Sequence, residues 1–102
     1  MIMMTDIKIE VPREKIAAFC QQNHIKKLAF FGSVLRDDFR PDSDVDVLVE
    51  FEKGYTPGFA YIRMQRELSA LLDGREIDMV TPKFLHPRIK KIVEKEMRIA
   101  YA

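Results

Sequence analysis

The sequence predicts an α/β (α+β) domain in which a small mixed β-sheet is flanked by helices. Three observations carry this. Short runs rich in Val and Phe alternate along the chain with longer apolar stripes at helical spacing. Gly, Pro and Asp-Gly breaks separate the two kinds of segment. The length of 102 residues leaves room for a single sheet and a few helices, so residues 1–102 read as one domain.

Taken in order, Pro12 can open a first helix, whose Ile16, Phe19 and Cys20 share a face before Asn23 and His24 end it. Leu28-Ala29-Phe30-Phe31 then forms a short buried strand, stopped by Gly32-Ser33. Val34, Leu35 and Phe39 are expected in a short helix after that turn, and Pro41-Asp42-Ser43 in a loop. Val45, Val47, Val49 and Phe51 mark a second strand. After a loop at Gly54, Pro57 and Gly58, a helix is expected from Phe59 to Leu72, with Tyr61, Met64, Leu68, Leu71 and Leu72 facing inward. Asp73-Gly74 stops it. Arg75 to Val80 is expected as a third strand. The last helix is expected to start near Pro87 and carry Ile89, Ile92, Val93, Met97 and Ala100 on one stripe. The expected order is therefore α-β-α-β-α-β-α.

Composition narrows the functional classes. Apolar residues make up 47% and charged residues 32%, an ordinary globular balance. No apolar run approaches the ~20 residues needed to cross a bilayer, and Met1-Ile2-Met3-Met4 lacks the basic and apolar regions of a signal peptide. Cys20 is the single cysteine, so no internal disulfide forms; it reads as a buried thiol in a cytoplasmic protein. A net charge of +1 gives no strong global attraction to nucleic acid, and no direct nucleic-acid binding is expected. The charges are segregated, however. Asp37, Asp38, Asp42, Asp44, Asp46, Glu50 and Glu52 face only Arg40, whereas Lys83, Arg88, Lys90, Lys91, Lys95 and Arg98 outnumber Glu94 and Glu96. Crowded carboxylates repel one another unless cations sit among them, so the acidic stretch points to a metal.

The chemistry concentrates in Phe31-Gly32-Ser33-Val34-Leu35-Arg36 and Asp42-Ser43-Asp44-Val45-Asp46. Strand alternation projects Asp44 and Asp46 to one side, about 6.5–7 Å apart, where they can converge on a hard cation. Mg²⁺ prefers oxygen ligands and takes one or two carboxylates together with substrate phosphates. Asp78 can complete a triad if the third strand neighbours the second. Gly32 lets backbone approach a phosphate. The turn amides and the Ser33 hydroxyl can bind its oxygens at a helix N-terminus, and Arg36 can add a bidentate contact. Such a set suits phosphoryl or nucleotidyl transfer. A Ca²⁺ loop does not fit: Val47 stands where Gly is needed and Lys53 where the bidentate Glu is needed. Structurally, Gly-Ser after a strand is commonly just a turn. A carboxylate inside a Val-rich strand is costly without a purpose, and Asp46 and Asp78 both carry that cost. Tyr55, Tyr61 and Tyr101 read as packing residues, Met64, Met79 and Met97 as core, and His24 and His86 lack metal-ligand spacing.

Gly32-Ser33, ten residues, then Asp44-x-Asp46 resembles the Gly-Ser-x10-Asp-x-Asp signature of the minimal nucleotidyltransferases, within the polymerase-β-like nucleotidyltransferase superfamily. The resemblance covers nearly the whole chain, including Arg36, Ser43 to Val49, Ile77 to Val80 and the closing helix. It implies the polymerase-β-like fold, ATP as substrate and Mg²⁺ as cofactor. It further implies metal binding by Asp44 and Asp46, with Asp78 as the third acid. Stand-alone domains of this size resemble antitoxins that neutralise a HEPN-domain ribonuclease toxin by binding it, by adenylylating a toxin tyrosine, or both. One departure is Asp37, where members of the family often carry Gly. Two other readings stay open: a binding module that occludes the toxin without catalysis, and a small-molecule nucleotidyltransferase. The second usually needs an additional domain to hold its acceptor, which is not expected in 102 residues.

Overall fold

The computed structural model describes residues 7–102; the expectation for Met1 to Met4 lies outside them. Helix α1 spans Arg13–Gln22, and the Pro12 carbonyl accepts its first helical hydrogen bond, from Ile16. Strand β1 is Ile25–Phe31 and β2 is Val45–Phe51. Helix α2 covers Ala60–Leu71, strand β3 Ile77–Val80, helix α3 Pro87–Glu96 and strand β4 Arg98–Tyr101. The sheet order is β3-β2-β1-β4. β1 pairs antiparallel with both β2 and β4, whereas β2 and β3 run parallel, with α2 forming the crossover that a parallel pair requires. The sheet is mixed and flanked by helices, as the sequence predicts.

One face of the sheet carries the main core. Leu28 and Phe30 of β1, Val45, Val47 and Val49 of β2, and Ile77 and Met79 of β3 pack there. They meet Ile16, Phe19 and Cys20 of α1 and Met64 and Leu68 of α2. The alternate β2 positions, Asp46, Leu48 and Glu50, point to the opposite face. Burial pushes the Cys20 thiol up to about 12, so it is an inert packing group. Among the described residues, no helix is long and apolar enough to cross a membrane.

Several expectations are corrected. The segment after Gly32-Ser33 is a four-residue 3₁₀ helix, Gly32–Leu35, and Phe39 lies beyond it. Strand β1 begins at Ile25 rather than Leu28, because Lys27 sits opposite Glu50 and closes a 2.7 Å ion pair across the strands. The last helix ends at Glu96, and Ala100 belongs to β4. The otherwise open edge of β1 offers the last residues a ladder of backbone hydrogen bonds, which outweighs their helical apolar spacing. Of the expected inward stripe of α3 only Val93 is buried; Ile89 and Ile92 remain 47% and 55% exposed. Strand β3 is also shorter than expected, starting at Ile77. The Glu76 carbonyl before it still accepts from the Val45 amide at 2.8 Å.

Candidate active site

The parallel register places Asp46 directly opposite Asp78, so two carboxylates share one face on neighbouring strands. Asp44 immediately precedes β2 and is exposed. Beside them, β1 ends in the turn at Gly32, whose φ of +76° is readily reached only by glycine. A Cβ at this position would collide with Asp46 Oδ2, so the missing side chain is what lets the turn lie against the carboxylate. The Ser33 backbone amide hydrogen-bonds the Asp46 carboxylate. The Ser33 hydroxyl donates to the Asp44 carbonyl at 3.2 Å, tying the turn to the start of β2.

The electrostatics centre on Asp46. Partial burial raises its pKa above the ordinary value, and the negative charges of Asp78 and Asp44 raise it further. The Arg36 guanidinium and the Ser33 amide act in the opposite direction. Tyr61 reaches the same region from α2. Its hydroxyl donates to the Met79 carbonyl, and its pKa is raised by burial first and then by Asp78. Among the described residues, no three carboxylate, His or Cys side chains are gathered tightly enough to hold a metal ion unaided. The donor set nonetheless suits a hard cation. It is all oxygen, the charges of Asp78 and Asp44 both act on Asp46, and Mg²⁺ needs only one or two carboxylates when phosphates supply the rest.

All six residues singled out from the sequence lie around this turn and the starts of β2 and β3. Gly32, Ser33, Asp46 and Asp78 are joined by contact or register, and Asp44 and Arg36 act on Asp46 through their charge. Two details differ from expectation. A four-residue 3₁₀ helix supplies no helix dipole of consequence at the turn. The turn amides are also already engaged: Ser33 N by Asp46, and Gly32 N by Glu96 Oε1 at 3.4 Å. Glu96 was missed because it lies at the far end of the chain in a basic segment, where nothing local marks it. Tyr61 does pack, as expected, but its phenol also reaches the edge of β3.

The comparisons agree with this geometry. The family model described as Nucleotidyltransferase domain matches residues 13–100. Protein adenylyltransferase MntA of Thermococcus cleftensis is 36% identical over 74 residues, covering 72% of each chain. A solved structure assigned as a minimal nucleotidyltransferase is 36% identical. It superposes with a TM-score of 0.69 over 83% of this chain and 85% of the other. A toxin-antitoxin crystal structure with AMP-PNP shares the fold at 18% identity, with a TM-score of 0.70 over 90% of this chain and 74% of that one. With the acidic pair, the glycine turn and the mixed sheet in one arrangement, the chain belongs to the nucleotidyltransferase domain family and is an enzyme of its minimal kind.

Proposed function

We propose that this chain, as a single domain over residues 1–102, is a cytoplasmic antitoxin that transfers AMP from ATP to a hydroxyl of a cognate HEPN ribonuclease toxin. The favoured acceptor is a tyrosine. The observation that carries the reading is the Asp46–Asp78 pairing beside the Gly32-Ser33 turn. In this reading Asp44 and Asp46 hold Mg²⁺, and Asp78 completes the metal site or takes the acceptor's proton. Ser33 and Arg36 hold the triphosphate while Gly32 keeps the approach open. When bound, the metal supplies charge neutralisation at the triphosphate.

Two findings support a protein acceptor. A relative of similar sequence bears the name of a protein adenylyltransferase, and a neighbour of the same fold was solved as a toxin-antitoxin with AMP-PNP. The test is intact-mass spectrometry of the toxin after incubation with this protein and Mg·ATP. The expected result is a gain in whole steps of AMP, abolished by Asp78→Asn while the complex persists. A tight complex whose toxin never changes mass would establish neutralisation by occlusion instead.

A further inference from the structure

Glu96 closes α3 and reaches across the fold to the glycine turn, where its Oε1 accepts from the Gly32 amide at 3.4 Å. An anionic oxygen therefore already sits on one of the backbone donors that the phosphate reading assigns to the triphosphate. Helix α3 is otherwise lightly held. Of its ten residues only Val93 is buried, and Ile89 and Ile92 stand half out in solvent. Just past it, the Arg98 guanidinium donates to the Glu96 and Met97 carbonyls and fixes the corner into β4. The Glu96 carboxylate is thus presented to the turn from a fixed corner, at the end of a helix that is mostly exposed.

We propose that Glu96 is a placeholder for a phosphate oxygen: it occupies the Gly32 amide in the free protein, yields it to the triphosphate, and thereby loosens the last turn of α3. The idea rests on the reading that the Gly32-Ser33 turn binds phosphate. Two anions cannot share one amide donor, so nucleotide affinity carries the cost of displacing Glu96. Displacement also removes one tie from the last turn of the helix that bears the exposed isoleucines. Nucleotide occupancy is thereby reported on the α3 surface.

The probe is Mg²⁺ with the α,β-methylene analogue of ATP, which binds without transferring AMP. By calorimetry, Glu96→Ala should bind it roughly three- to tenfold more tightly than wild type, the range of one net hydrogen bond. Glu96→Gln, which keeps a neutral acceptor, should fall between them. Hydrogen exchange gives an independent reading. Amides of the last turn of α3 should exchange faster in wild type when the analogue is added, opposite to the usual ligand protection. In Glu96→Ala they should exchange fast without it. Unchanged or weakened affinity in Glu96→Ala, while Ser33→Ala still weakens binding, would overturn the placeholder alone. If Ser33→Ala and Arg36→Ala also leave affinity unchanged, the phosphate reading of the turn fails and the placeholder falls with it.

Discussion

Gly32 lies against Asp46 so closely that any side chain at position 32 would overlap the carboxylate. The overlapping atom belongs to a half-buried side chain that can rotate, so an alanine there is accommodated by swinging Asp46 away. The backbone penalty of a positive φ stays, at about 1–2 kcal/mol. Gly32→Ala should therefore fold with a modest drop in melting temperature and lose Mg·ATP binding almost entirely. Calorimetry beside thermal denaturation checks both halves. Full nucleotide affinity in a folded Gly32→Ala protein would detach the turn from the site.

Asp46 is destabilising while it is charged, and the sign of its pH dependence follows. Its folded pKa lies above its unfolded one, so its contribution to stability is fully present below the unfolded value. That contribution is lost as pH rises through the folded value. Asp46→Asn should consequently melt higher than wild type at pH 7. The gap should close as pH falls toward the ordinary carboxylate range. Adding Mg·ATP at pH 7 should raise the melting temperature of wild type and leave that of Asp46→Asn nearly unchanged. Scanning calorimetry across pH, with and without Mg·ATP, reads all three.

These expectations rest on parts of the molecule that were unequally legible in the sequence. The core strands were readable because Val45, Val47 and Val49 alternate with polar or outward residues, and the period of two fixes their face. The acids were readable because a carboxylate inside such a run is costly without a purpose. Strand β4 was not, because Met97 and Ala100 continue a helical spacing. What turns them into a strand is the free edge of β1, a distant fact of topology. Glu96 shows the same limit, since its partner Gly32 is remote in sequence and their contact exists only once α3 has crossed the sheet.

Tyr61 yields a prediction that needs no nucleotide. Its phenol is hydrogen-bonded to the Met79 carbonyl and lies in the field of Asp78. Burial and that negative charge both oppose the phenolate, so its titration moves above the ordinary value near 10. Ultraviolet titration should show a tyrosine component that ionises above the ordinary value. Tyr61→Phe should remove that late component. The same change should cost about 0.5–1.5 kcal/mol, the range for one net hydrogen bond. A late component that persists in Tyr61→Phe would assign it to Tyr55 or Tyr101.

The parallel pairing of β2 with β3 also governs when the acidic pair comes into being. β1 and β2 run antiparallel across the short turn region, whereas β3 reaches β2 only after α2 has crossed the sheet, a longer closure with a larger entropic cost. A nascent or partly unfolded chain can thus own Gly32, Asp44 and Asp46 and still lack Asp78. With Asp78 in the role proposed for it, chemical competence belongs to the finished fold. On the proposed function, transfer to a partner is in this way withheld until the sheet is finished.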